Sequence, residues 1–235
     1  ANLYDFDPHR DHAERDTCPE LDRWALRRTQ GLLGQVTDGY ESYRFHEVFR
    51  TVYQFCVFEL SAFYLDALKD RLYTERADSP RRRCAQAVLY AILTSLTRIL
   101  APILPLTTEE VWQLMRELKL VDEPSVHLAQ WPPLALSSED AEFTERWRTF
   151  LALRETVMKA LETQRGHQVI RSPLEAQVTL VVNDTSLRRL CETHDETLAE
   201  AFVVSDVRVV QDGAARATAA GGSIPGLVDV QVERA

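Results

Sequence analysis

The stretch Val52–Leu65 constrains the fold of this chain most. It is apolar nearly all round, interrupted by Gln54 and Glu59, and too short to span a bilayer. A helix of that kind belongs where neighbours cover it on several sides. The surrounding sequence supplies the neighbours. Thr17-Cys18-Pro19-Glu20 forms a capping-box pattern, and Leu21, Ala25, Leu32, Val36, Tyr40 and Tyr43 then recur at helical spacing to about Ser42. Gly31, Gly34 and Gly39 weaken this helix, which therefore leans on packing. The apolar rod should run from about Phe45 to Leu68, followed by a loop from Lys69 to Ser79. Ser79-Pro80 restarts a helix with Ala85, Val88, Leu89, Ile92, Leu96 and Ile99 on one face. That helix stops at Pro102, Pro105 keeps the connection non-helical, and Thr107-x-x-Glu110 caps a shorter helix through Val111, Leu114, Met115 and Leu118. Four helices with large apolar faces and modest loops imply an antiparallel bundle.

The pattern changes after residue 122. Pro124, Pro132 and Pro133 flank Val126-His127-Leu128 in an extended crossing segment, and Ser138 opens a further helix carrying Phe143, Trp147, Phe150, Val157 and Leu161. Beyond Pro173 the period shortens to two: Ala176, Val178, Leu180 and Val182 alternate as a strand. Short helices follow around Leu187–Cys191 and Glu196–Ala201, then strands at Phe202–Val210 and Leu227–Val232, with a loop at Gly213–Gly226. The chain is thus mainly α, a helical-bundle domain over residues 1–136 with an extended N-terminal lead-in, followed by a small α+β domain over 137–235. Its 235 residues accommodate two domains.

Composition narrows the function. Asp and Glu total 36 against 27 Lys and Arg, a net charge of −9 that excludes a uniformly basic coat for nucleic acid. The basic residues are nearly all arginine; only Lys69, Lys119 and Lys159 are lysine, and arginine suits planar, forked contacts with phosphates and bases. Cys18, Cys56, Cys84 and Cys191 form no CxxC pair, so zinc-knuckle and redox motifs are not encoded, and reduced thiols are expected. The polar, acidic opening ANLYDFDPHRDH does not read as a secretory leader, which points to a soluble cytoplasmic protein with no membrane segment.

No catalytic motif stands out. There is no glycine-rich phosphate cradle, no GxSxG elbow and no HExxH helix. His9-x-x-His12 beside Asp5, Asp7 and Asp11 is a weak metal pattern that reads better as a frayed acidic terminus, and His46 reads as a packing or capping histidine. Basic and aromatic residues say more. Leu21 and Ala25 face the core, so Arg27, Arg28 and Arg23 should project to solvent beside Trp24. Residues 69–83 carry six basic and three acidic residues, a local +3, including Lys69, Arg71, Arg81, Arg82 and Arg83. On composition alone this reads better as a solvated charged face, with ion pairs such as Asp22 to Arg23.

The ordered set of short motifs resolves that choice. Leu21-Asp22-Arg23-Trp24-Ala25-Leu26, Tyr43-x-Phe45-His46-x-Val48, Leu60-Ser61-x-Phe63-Tyr64-Leu65-Asp66-x-x-Lys69-Asp70-Arg71-Leu72-Tyr73, Ala101-Pro102-Ile103-Leu104 and Thr108-Glu109-Glu110-Val111-Trp112 occur in sequence. They are followed by Ser125-Val126-His127-Leu128, Leu153-Arg154-x-x-Val157-x-Lys159-Ala160-Leu161-Glu162, Ser172-Pro173-Leu174-Glu175-Ala176 and Phe202-Val203-Val204-Ser205. Together they resemble the anticodon-binding region of bacterial isoleucyl-tRNA synthetases across essentially the whole chain. The valyl and methionyl enzymes share the bundle, while Lys69–Tyr73 with Ser172–Ala176 favours isoleucine. The ATP-binding signatures His-x-Gly-His and Lys-Met-Ser-Lys-Ser, and the four-cysteine zinc module that ends the bacterial family, do not occur in this sequence.

The resemblance implies an excised, catalytically inert piece of an isoleucine–tRNA ligase. Catalytic and editing domains would lie upstream and the zinc module downstream, and the monomeric parent would supply ATP, magnesium and zinc while the piece binds the anticodon stem-loop of isoleucine tRNA. By resemblance the readers fall on Arg23, Trp24, Arg27 and Arg28 of the first helix and on Lys69, Arg71 and Tyr73 after the second. Arg27, Arg28 and Arg71 would contact bases; Lys69, Arg81, Arg82 and Arg83 would contact phosphates. Trp24 has two open destinations, core or site. Arg154, Lys159 and Arg165 are further backbone contacts in the second unit. A helical scaffold binding an acidic protein is the reading from a different class.

Overall fold

A computed structural model of the chain describes residues 2–11, 18–133, 141–193, 195–210, 223–224 and 228–235. They form two units, Ala1–Leu136 and Ser137–Ala235.

In the first unit, α1 (Glu20–Glu41) buries the stripe Leu21, Ala25, Leu32 and Val36 that its period marks out. The apolar rod is α2 (Phe45–Gln54), a π-helical stretch (Phe55–Tyr64) and α3 (Leu65–Ala67), with right-handed helical backbone at each junction. Gly39 near the end of α1 lies against Val48 near the start of α2: a Cβ built on Gly39 would meet Val48 Cγ2 at 2.6 Å. The Tyr64 hydroxyl, at the far end of the rod, donates to Asp22 at the start of α1 (2.5 Å). These two helices are therefore antiparallel.

α5 (Pro80–Leu100) is capped by Ser79, whose hydroxyl accepts from the Arg82 N–H. It runs parallel to α1, since the free Cys18 thiol donates a hydrogen bond to the free Cys84 thiol near both starts and the Ile99 carbonyl accepts from the Tyr40 hydroxyl near both ends (2.8 Å). α6 (Pro105–Glu117) returns along α5: the Tyr90 hydroxyl donates to the Leu120 carbonyl (2.7 Å), and the Arg98 guanidinium lies 5.4 Å from the Trp112 ring. The start of α1, the end of the rod and the start of α5 thus share one end of an up-down-up-down bundle.

Several local expectations need correction. Lys69–Thr74 is a helix, α4, because Leu68 and Leu72, one turn apart, are both buried. α6 starts at Pro105, a first-turn position where proline has no hydrogen bond to lose, and not behind a capping Thr107. Val126–Leu128 is a short 3-10 turn held by the Glu109 carboxylate, which accepts from the Ser125 hydroxyl (2.8 Å) and the Val126 N–H (3.0 Å). Residues 2–11 are neither extended nor frayed. The Gln86 amide donates to the Asn2 and Tyr4 carbonyls, and Phe6 is buried with Trp112, Met115 and Val126. Thr17, His12 and Ser138 lie outside the described residues.

In the second unit, α7 (Ala141–Gly166) buries Phe143, Trp147, Phe150, Leu153, Val157 and Leu161. β1 (Ala176–Val182) is one of the two inner strands of a sheet ordered β2-β1-β4-β3. It pairs antiparallel with β4 (Val228–Arg234) and, after α8 (Thr185–Thr193) and α9 (Asp195–Phe202), parallel with β2 (Asp206–Val210). The stretch expected as loop contributes a short strand, β3 (Ser223–Ile224), beside β4; residues 211–222 and 225–227 lie outside the described set. Val178, Leu180, Val230 and Val232 are buried, as alternation requires.

The strand expected from Phe202 begins only at Asp206. Val203 sits in the left-handed region (φ 56°), and the Val204 N–H reaches back to the Ala199 carbonyl (3.1 Å), closing α9 with a Schellman-type turn. Tyr43, Lys119 and Gln168 close α1, α6 and α7 in the same way, with positive φ and an N–H of the next residue bonded five back. Tyr43 accordingly lies outside α1 and is exposed.

Glycine positions give a stability test. Gly39→Ala forces a methyl into the stiff, buried Val48 and should destabilise by about 1–3 kcal/mol. Gly31 and Gly34 face open space, so alanine there should stabilise by about 0.4–1 kcal/mol each. Urea unfolding of the three variants checks the opposite signs.

Candidate nucleic-acid interface

The end of the bundle where α1 and α5 start gathers both stretches singled out from the sequence. Asp22 on α1 and Arg71 on α4 are joined by a 2.5 Å ion pair, Arg83 on α5 reaches Asp5 of the lead-in (3.2 Å), and the Tyr73 hydroxyl donates to Asn2 (2.9 Å). The two helical segments therefore converge. The individual side chains do not all take the expected parts.

Two candidates are interior. Trp24 is 4% exposed and packs edge-on against Phe63, with ring centroids 5.0 Å apart. It lies one turn beyond Leu21 on the buried stripe, so its destination is the core. Arg71, expected to contact a base, is 2% exposed. Its guanidinium donates to Asp22 Oδ2, while Asp22 Oδ1 accepts from the Tyr64 hydroxyl. Burial, with the adjoining Asp22 carboxylate, pushes the Tyr64 phenol well above its ordinary range and keeps it a donor. A cation whose charge is spent on a fully buried carboxylate does not reach a ligand.

The α5 arginines are largely structural as well. Arg83 bonds the Asp5 carbonyl (2.6 Å) and Gln86 (3.0 Å) and lies 3.3 Å from Asp11, so it fastens the lead-in to the bundle. The Arg82 guanidinium donates to the Glu75 carbonyl (3.0 Å), bracing the loop before α5. Arg81 is exposed, 3.6 Å from Glu75. The expected pairing of Asp22 with Arg23 does not form; Arg23 is half-buried and approaches Glu20 (3.9 Å).

An exposed set remains: Arg27 and Arg28 on α1, Lys69 and Tyr73 on α4, and Arg81. Arg28 is held in a two-point fork by Glu59 (2.6 Å and 2.6 Å), which raises its pKa further and fixes the plane of the guanidinium. Phe58, beside Glu59, is 64% exposed. Neither was singled out from the sequence, although a lone carboxylate inside the apolar run is the signal that marks them. Lys69 pairs with Asp66 (2.5 Å) and its pKa is raised by that bond. With a carboxylate beside Arg28, Lys69 and Arg81, long-range attraction is weak and contact chemistry must dominate. In the second unit Arg154 turns inward to the Ala201 carbonyl (2.9 Å), while Lys159 and Arg165 are exposed beside Glu155 and Glu162.

A planar, immobilised guanidinium, a second arginine, an exposed phenol and an ammonium on two helices joined by the Asp22–Arg71 ion pair suit unpaired nucleotides: forks for base edges, a ring for stacking, a point charge for phosphate. Comparison with known proteins agrees. Residues 22–180 match the family model described as the anticodon-binding domain of tRNA ligase. The chain belongs to that family. Among relatives, the isoleucine–tRNA ligase of Syntrophotalea carbinolica is 42% identical over the whole chain and that of Desulforudis audaxviator 43%, in each case across 25% of the relative's length. The Moorella thermoacetica isoleucine–tRNA ligase is 43% identical over 91% of the chain and 23% of its own length. The chain thus spans about a quarter of the relatives it matches. Among the described residues of this anticodon-binding domain, no helix is long and apolar enough to cross a membrane.

Interior and exposed arginines should separate cleanly on mutation. Arg71→Ala leaves Asp22 buried without its cation and should cost about 3–5 kcal/mol. Arg27→Ala, on the surface, should stay within about 0.5 kcal/mol. Thermal unfolding of both variants checks the contrast.

Proposed function

We propose that this chain recognises the anticodon stem-loop of isoleucine tRNA as one part of a longer isoleucine–tRNA ligase. The observation that carries the reading is the meeting of α1 and α4 at one end of the bundle, with Arg27, Arg28, Lys69 and Tyr73 exposed there. Membership of the anticodon-binding family and the names of the relatives support it.

On this reading Arg27 and Arg28 offer forked donors to base edges and Tyr73 offers a stacking face, with Phe58 beside the Arg28–Glu59 fork as a second one. Lys69 and Arg81 neutralise phosphates. A stacked base contributes roughly 1–3 kcal/mol and a two-point base contact discriminates by a similar amount. Two or three such contacts suffice to reject a wrong tRNA. Joining isoleucine to tRNA with ATP is the work of the longer protein; this chain supplies recognition and no catalytic group, acting in the cytoplasm within a monomeric ligase. On this reading zinc and ATP–magnesium belong to the longer ligase, and base reading uses no step through them.

The test is a titration with labelled anticodon stem-loop RNA, cognate and anticodon-swapped, at two salt concentrations. Binding should favour the cognate loop, and Arg28→Ala should cut that preference by about tenfold, the worth of one base contact. Lys69→Ala should weaken both RNAs alike and flatten the logarithmic salt slope by about 0.7. Equal binding of the two loops by the unaltered chain would discard the reading in favour of a protein scaffold.

A further inference from the structure

The six-residue helix α4 continues from the rod through Leu68, whose N–H bonds the Tyr64 carbonyl and whose carbonyl accepts from the Leu72 N–H. Among its residues only Arg71 and Leu72 are buried, while Lys69, Asp70, Tyr73 and Thr74 face solvent. Leu72 seats the helix in the bundle through apolar contact, which is non-directional. Arg71 supplies the direction. Its guanidinium meets Asp22 on α1, and the remaining Asp22 oxygen is taken by Tyr64 at the end of the rod. Asp22, Tyr64 and Arg71 are all almost wholly removed from solvent, and they come from α1, the π-helical stretch and α4.

For stability alone such a group is a poor choice. Stripping water from two charges offsets most of their attraction, and well-packed apolar side chains commonly do as well or better. What a satisfied buried ion pair adds is geometry, since it tolerates neither sliding nor rotation of its helices. A turn of α4 by one residue would carry Arg71 out of the interior and re-aim Lys69 and Tyr73.

We propose that Asp22, Tyr64 and Arg71 form a positioning device for base reading: the network sets α4 against α1 so that Lys69 and Tyr73 share a surface with Arg27 and Arg28. These three residues touch no ligand themselves. The inference rests on the anticodon-reading proposal and adds the element that makes its contacts coincide.

The decisive variant is the double substitution Asp22→Leu with Arg71→Met, which removes both charges and keeps apolar volume. Circular dichroism and cooperative unfolding establish that it folds. Affinity is then measured for cognate and anticodon-swapped stem-loop RNA, using the whole 235-residue chain. Positioning requires that the folded variant lose anticodon preference by roughly tenfold, as if a base contact were gone, while binding to the swapped loop stays nearly constant. A folded variant that keeps the parental preference overturns the inference and leaves the network as a plain structural tie. Should the double variant fail to fold, Tyr64→Phe carries the test: it removes one hydrogen bond, keeps the ring and should lower the preference by roughly threefold, whereas an unchanged ratio overturns the inference. Absence of any preference in the unaltered chain would instead fail the anticodon-reading proposal.

Discussion

Everything at the reading end of the bundle depends on a buried carboxylate. Asp22 has no access to solvent, so its charge must be answered from within, and it is answered twice: by the Arg71 guanidinium and by the Tyr64 hydroxyl. That requirement draws α1 to the end of the rod and to α4, 42 and 49 residues further along the chain. The other end has its own tie, the close approach of Gly39 to Val48, which allows α1 and α2 to turn through only a few residues. Between these two ties the apolar rod buries one face, with Val52, Phe55, Leu60, Phe63 and Tyr64 inside, while Tyr53 and Phe58 are exposed, against the expectation of cover on several sides.

The architecture was legible wherever apolar periodicity is strong. The α1 stripe and the alternation in β1 each announce one kind of burial, and the mainly α bundle followed by an α+β unit is what forms; the all-round apolar run forms a helix as expected but is covered on one face only. Helix ends were less legible for a definite reason. A left-handed residue that closes a helix is usually glycine, and here Tyr43, Lys119, Gln168 and Val203 occupy that position. Without the glycine signal, Tyr43 is counted into the α1 stripe and the tail of α9 looks like the start of a strand. α4 was hidden because its buried face consists of one leucine and one arginine, and an arginine reads as surface.

The same ambiguity governs the site. A sequence shows which residue types are available and, through the Leu21–Ala25 stripe, that Arg27 and Arg28 point outward. It does not show whether a given guanidinium is spent on an internal carboxylate. Arg71 and Arg83 are so spent, the first on Asp22 and the second on the lead-in, and Trp24 belongs to the stripe it adjoins. Arg28 also meets a carboxylate, yet at the surface, where Glu59 orients it without hiding it. One residue type therefore serves as interior tie, chain fastener and exposed donor within a single end of the bundle.

The central claim is that the exposed surface shared by α1 and α4 grips unpaired nucleotides. Hydrogen–deuterium exchange of the chain with and without an anticodon stem-loop RNA examines it most directly. Slowed exchange should concentrate in residues 23–28 and 69–81, with the opposite end of the bundle around Phe45–Tyr53 unaffected. Protection confined to Phe45–Tyr53 or to the second unit, with residues 23–28 and 69–81 unchanged, would contradict it.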